Sequence, residues 1–296
     1  MRGRMLITRQ NTFISRVWSN LHYAHYLMKR NPLSLIGAGV MALFVLVAFI
    51  GPTLTIYDPI KPDISEISSP PSTKHWMGTD SLGMDVFTRI IHAARIDLFL
   101  MIFGVAGAVL IGTIYGIISA FYGRWVDEVM MRLLDSIQAF PTIVLGIAIA
   151  AILGPSTWNV AIVLIAVNAP MYARLVRSLA LSLKTTQYID AARTVGNSNF
   201  RIIFKHILPN CMGPIYVAGS MNLGWTVLIA ASLSFIGLGI QSPTPEWGLM
   251  IKEGARHMIM GKWWMAFFPG LFIFLFVLSA NFLGDGLQDV FDPKRR

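Results

Sequence analysis

Three features of this 296-residue chain predict an all-α polytopic membrane protein with six transmembrane helices. Charged residues make up only 13% of it and hydrophobic residues 55%, where ordinary soluble domains carry roughly 25% charged residues. Five long stretches hold no Asp, Glu, Lys or Arg: Arg30 to Asp58, Asp97 to Arg124, Asp135 to Arg174, Lys205 to Glu246 and Lys262 to Asp285. Each exceeds the roughly 20 apolar residues a helix needs to cross the hydrocarbon core. Helices also satisfy their own backbone hydrogen bonds, which lipid cannot do. Finally, the basic residues sit in short segments between the stretches, so the net charge of +9 reflects membrane topology rather than nucleic-acid binding.

The elements follow in order. The first span is expected at Leu33–Leu54 and the second at Leu98–Tyr122. The third charge-free stretch is too long for one helix and is cut by GPSTWN (Gly154–Asn159), a turn signal, which gives a hairpin of Ile137–Leu153 and Trp158–Ala173. The fourth carries Pro209 and Pro214 at its start and Pro243 and Pro245 near its end, leaving one span at Ile215–Leu238. A second split there would make seven spans. The last span is Met265–Leu283. Five helices and their loops thus form a core over residues 98–288, preceded by a loop at 55–97 and followed by a short tail, 289–296.

Lys and Arg counts orient the bundle. On one side of a six-span arrangement, the segments 1–32, 124–135, 174–205 and the C-terminus carry 17; on the other, 55–97 and 241–264 carry seven. The side with 17 is expected to be cytoplasmic, with both termini on it. No cleavable signal is expected, because the first apolar run begins only near Leu33 and is long enough to stay in the membrane. In the basic segment before it, Phe13, Val17, Leu21, Ala24 and Met28 fall near helical spacing. That suits either an interfacial amphipathic helix or a partly disordered basic tail.

Small residues recur at every fourth position of the second span: Gly104, Ala108, Gly112, Gly116 and Ala120. Such stripes let helix backbones approach closely in lipid, so a packing seam with another span or subunit is expected. The single cysteine, Cys211, excludes an intrachain disulfide framework. The histidines are scattered, and no metal site or cofactor is expected on the chain. Asp80 and Asp85 lack the spacing of a calcium loop and read as parts of a turn-rich fold. There is no GxxxxGK[ST] phosphate loop. The span interiors carry no charge and hence no carboxylate relay, so uphill transport would draw its energy from another subunit.

The stretch YIDAARTVGNSNFRIIFKHILPN (188–210) is polar and basic, yet lies between two apolar runs. Residues 179–195 read as a helix whose broad apolar face holds Leu179, Leu183, Ile189, Ala192 and Val195. Gly196 ends or bends it, and 200–207 reads as a return helix stopped by Pro209. By pattern alone this is either a docking lever or a helix resting on headgroups.

The segment resembles the cytoplasmic loop of ABC-importer permeases, whose pattern is E-A-A, three residues, G, nine residues, then I-x-L-P. Asp190, Ala191, Ala192, Gly196, Leu208 and Pro209 occupy the matching positions, with Asp190 in place of Glu and His206 in place of Ile. HWMGTDSLGMDVFTR (75–89), SFIGLGIQSPTPEWGLMI (234–251) and GDGLQDVFDPKRR (284–296) are similar to the dipeptide, oligopeptide and nickel branch, in its second-permease form. Met84 and Gln288 stand there where that branch usually has Arg. The resemblance implies a type I, MetI-like fold in a bacterial or archaeal cytoplasmic membrane. It implies a homologous second permease, two ATPase subunits that hold ATP and Mg, and an extracytoplasmic binding protein. It also implies that the loop docks on an ATPase, and that 58–95 and 243–251 face the binding protein. The chain itself would hydrolyse nothing; the cargo would be di- or oligopeptides, nickel chelates, glutathione-like compounds or sugars. Two other classes remain open at this point. A passive channel would conduct without an ATPase. A membrane enzyme would need clustered acids, of which only Asp127-Glu128-Asp135 and Asp285-Asp289-Asp292 are candidates, and these read as solvated helix ends.

Overall fold

A computed structural model describes residues 31–291. The expected N-terminal amphipathic segment and the end of the C-terminal tail lie outside these residues. The long helices are α1 (Pro32–Leu54), α2 (Val86–Tyr122), α5 (Thr157–Lys184), α8 (Leu208–Ile236) and α10 (Trp264–Phe291). Between them run α3 (Arg124–Gln138), α4 (Thr142–Leu153), α6 (Gln187–Thr194), the single turn α7 (Asn199–Ile202) and α9 (Trp247–Met258). Among the described residues, five helices are long and apolar enough to cross a membrane, or six if the bent pair α3–α4 counts as one span.

The small-residue stripe of α2 is the seam with α5. A Cβ on Gly112 would lie 2.6 Å from the Ala169 carbonyl oxygen, and one on Gly116 2.4 Å from that of Ala173. Ala108 and Ala120 are fully buried along the same line. With no hydrophobic drive between helices in lipid, this backbone proximity supplies the packing attraction. A second core joins α1, α2, α9 and α10 around Trp247. Its ring contacts Phe44 edge-on at 5.7 Å, and its indole N–H donates to the Ile90 carbonyl (3.2 Å).

Four boundaries differ from the sequence reading. Helix α2 begins at Val86, twelve residues before the expected Leu98, because Asp85 caps it by accepting from the Thr88 N–H and because Arg89 and Asp97 are buried rather than solvated. Helix α5 runs past Ala173 to Lys184, whose ammonium donates to the last carbonyls of α2, at Ala120 and Phe121. The expected third span, Ile137–Leu153, is broken: Pro141 disfavours helix at the residue before it, and α3 and α4 meet at 88°. Helix α4 alone has 12 residues, about 18 Å at 1.5 Å per residue, well short of the roughly 30 Å hydrocarbon core. Finally, Pro209 does not stop the return helix. It follows a widened π-turn over Ile203–Ile207, which makes room for its ring and its missing N–H, and helix continues through to Ile236.

The α2–α5 seam makes a direct prediction. Gly116→Leu drives a side chain into backbone and should cost about 3 kcal/mol, read as a large fall in melting temperature of the detergent-extracted protein. Gly39→Leu, where nothing lies within 4 Å of the new Cβ, should leave the melting temperature unchanged.

Candidate functional site

At one end of the bundle, α6 and α7 form the loop that the sequence singled out. Ile189, Ala192, Ile202 and Ile207 are buried in a core with Ile117, Val176, Ala180 and Cys211 of the long helices. Ala192 therefore packs inward, while Asp190 and Ala191 lie on the exposed side. Asp190 pairs with Arg193 (3.3 Å), one helical turn away. Gly196 has φ +79° and closes α6 through two backbone bonds, Gly196 N–H to the Arg193 carbonyl and Asn197 N–H to that of Ala192. This is the left-handed cap that glycine adopts without strain. Ser198 then starts α7 by accepting from the Arg201 N–H. His206 lies in the π-turn, its carbonyl accepting from Asn210; Leu208 packs against the inner core and Pro209 is exposed.

Two details depart from the expected helix over 179–195. It is interrupted at Thr185–Thr186, so Leu179 and Leu183 belong to α5. Val195 leaves the apolar face and is 77% exposed, because the chain turns into the Gly196 cap. Tyr188, Phe200 and Phe204 are exposed as well, the two phenylalanine rings lying 4.3 Å apart. Nor is Asp127 a solvated helix end: the Arg177 guanidinium grips its two oxygens at 2.5 and 2.6 Å and ties α3 to α5.

The opposite end of the bundle is built on Arg89, whose side chain is wholly buried. It donates to the carbonyls of Pro59 (3.0 Å) and Pro243 (3.2 Å) and lies 3.4 Å from Asp80 and 3.8 Å from Glu253. Asp80 also accepts from the Leu82 and Met84 N–H groups, and Asp85 holds His75 at 2.8 Å. Both aspartates are thus loop and helix caps, and among the described residues no cluster of His, Cys, Asp and Glu could hold a metal ion. Deeper in, Asp97 of α2 accepts from the Trp247 N–H (3.2 Å), while Glu246 caps α9 by accepting from Gly248 and Leu249. The two carboxyl groups face each other, both fully out of solvent. Burial first, offset in part by these backbone donors, pushes the Glu246 carboxyl above its ordinary range.

Between the two ends, α5, α8 and α10 frame an open groove of about 940 Å³. Its wall is apolar except for Asn222 and Gln288. Behind it, Asn168, Tyr172 and Asn222 form a buried hydrogen-bonded bracket between α5 and α8.

The protein-family model described as binding-protein-dependent transport system inner membrane component matches residues 89–296. The chain belongs to that family. It is a transport permease subunit of an ABC importer, a multi-pass membrane protein. A second model, the N-terminal transmembrane domain of oligopeptide transport permease C, matches residues 19–71. Among relatives, the dipeptide transport system permease protein DppC of Alkalihalophilus pseudofirmus is 45% identical over 269 residues, covering 91% of this chain and 88% of that one. The glutathione transport system permease protein GsiD of Pectobacterium atrosepticum is 43% identical, covering 88% and 86%. The probable D,D-dipeptide transport system permease protein DdpC of Escherichia coli is 38% identical, covering 91% and 90%.

Sequence reasoning missed three parts of this permease: Arg89, the Asp97–Glu246 pair and the Asn222 bracket. Asp97 and Glu246 border charge-free stretches, which made them look like solvated flanks. No local pattern marks them, since the Trp247 N–H that meets Asp97 and the Pro243 carbonyl that meets Arg89 lie 150 residues or more along the chain.

The carboxyl pair is testable. Asp97→Asn keeps an acceptor for Trp247 and offers Glu246 a donor, so stability should be retained. Asp97→Leu strands both and should cost about 3 kcal/mol. Because Glu246 keeps its proton in the folded protein to a higher pH than in the unfolded chain, wild-type stability should fall as pH rises above 4.5 and through the folded value. Thermal unfolding in detergent across pH, for the wild type and both variants, checks the ranking and the slope.

Proposed function

We propose that this permease carries peptides inward across a cytoplasmic membrane, with both termini and residues 179–209 on the cytoplasmic side. Its partners are a homologous second permease, two ATPase subunits that bind ATP and Mg, and an extracytoplasmic binding protein that meets residues 58–95 and 243–251. Dipeptides, D,D-dipeptides and glutathione, named for its relatives, are all amide-linked amino acids, which favours peptides over nickel chelates or sugars. The chain performs no chemistry on its cargo.

One observation carries the coupling role. The loop is two-faced: Ile189, Ala192, Ile202 and Ile207 are locked into the helical core, while Tyr188, Val195, Phe200 and Phe204 face outward. A surface resting on headgroups would need no such rigid core and no left-handed cap. A lever needs both, because a push on the outer face must move the helices behind it. Asp190, Ala191, Ala192 and Gly196 form its first arm; His206, Leu208 and Pro209 lead from its second arm into α8. ATP-driven closure of the ATPases would move this unit and switch the permease between packings that open to opposite sides.

Gly196→Pro should abolish ATP-driven uptake, since proline fixes φ near −65° and this position needs +79°. Gly196→Asn, which tolerates the left-handed region, should keep at least about half of it. Transport assays in proteoliposomes, with ATPase rates measured in parallel, read this out; normal uptake by the proline variant would sink the lever. Affinity purification of the tagged chain from its own membranes should recover ATPases, a second permease and the binding protein. Recovery of this chain alone would favour a passive channel.

A further inference from the structure

The groove between α5, α8 and α10 carries one oriented polar atom. The Asn168 amide nitrogen donates to the Leu164 carbonyl (2.8 Å), which fixes Asn168 Oδ1 as the atom facing Asn222. An oxygen there requires a donor opposite, so Asn222 must present its amide nitrogen, at 3.1 Å. The second N–H of that nitrogen goes to the Tyr172 hydroxyl, also at 3.1 Å. Both donors of Asn222 are thereby spent on the buried side. Its carbonyl oxygen Oδ1 is left with no donor among the described residues, on a side chain that lines the groove though the residue is only 5% exposed. An amide oxygen in an apolar wall is costly unless it accepts a hydrogen bond, and the bracket behind it prevents the amide from turning away.

The surroundings narrow the donor it would take. No charged residue lines the groove; Met171, Leu175, Met221 and Trp225 do. Unbranched methionines adapt to side chains of differing shape, which suits a cargo varied in its side chains but constant in its backbone. The volume falls in the range of about 300–1,000 Å³ typical of small-molecule sites. We propose that Asn222 Oδ1 is a fixed acceptor for a main-chain N–H of a peptide in transit, with Asn168 and Tyr172 as positioning residues. This rests on the peptide-importer reading above and adds to it a named contact in the membrane.

The test uses the complete importer in proteoliposomes, with trialanine and its analogue N-methylated at both peptide nitrogens as probes. Asn222→Leu should lower kcat for trialanine about tenfold, the loss of roughly one hydrogen bond in the path. It should leave KM, which is set at the binding protein, and the uptake of the N-methylated analogue nearly unchanged. Tyr172→Phe, which keeps the ring and frees the amide, should lower trialanine kcat about threefold, with the same indifference to the analogue. Wild-type kcat for trialanine in Asn222→Leu, or equal losses for both probes, would overturn the assignment. So would loss of the second permease from the purified variant, which would make the groove a contact between subunits. Failure of the wild-type complex to take up trialanine or any other alanine peptide would overturn the peptide reading itself, and this assignment with it.

Discussion

A guanidinium buried without solvent is tolerable only where every face of it is met by an acceptor or a counter-charge, and Arg89 imposes that condition on one whole end of the permease. The carbonyls of Pro59 and Pro243, the sulfur of Met84 and the carboxylates of Asp80 and Glu253 come from parts of the chain far apart in sequence. None of these parts has the regular structure to find its place alone: the segment from Thr55 to Asp85 has one short 3₁₀ turn, and the approach to α9 is irregular. Arg89 sits on the first turns of α2, a helix of 37 residues, so the irregular segments are referenced to a long regular element. The Thr79 carbonyl, accepting from the Trp264 indole, extends the same arrangement to the start of α10.

What the sequence disclosed and what it hid divide along physical lines. Long charge-free stretches and a four-residue repeat of small side chains are local patterns: they located five of the spans and the seam face of α2, but not which helix meets it. The glycine at 196 was legible because a left-handed cap leaves a residue-type signature. Proline misled once and went unread once. At Pro209 it suggested an end where the chain runs on, since the π-turn before it makes room. At Pro141 it marked a real break inside what composition presented as one span. Ala192 shows why the loop's faces were only half readable: alanine suits either close docking or an internal core, and only the fold assigns it to the core. Arg89, Asp97 and Glu246 could not be recognised as buried because their partners lie up to 164 residues away along the chain.

The middle of the bundle adds a different kind of constraint. In lipid, amide side chains on facing helices find each other because they have few alternatives, and Asn168, Tyr172 and Asn222 fasten α5 to α8 where both pass the groove. Helix α5 is in turn fastened to α2 by backbone proximity and to α3 by Arg177 and Asp127. Four helices are thus held pairwise by three chemically distinct contacts: steric close approach, an ion pair and an amide bracket.

The unbroken helical run from Asn199 to Ile236 has a mechanical consequence. Phe200, on the outward face of the loop, and Trp225, on the groove wall, are 25 residues apart on one shaft, about 37 Å at 1.5 Å per residue. A shaft transmits rotation as well as displacement, and this one has two compliant points, the widened turn at Ile203–Ile207 and Pro214. A twist applied at the loop would therefore reach the groove wall attenuated at two known positions.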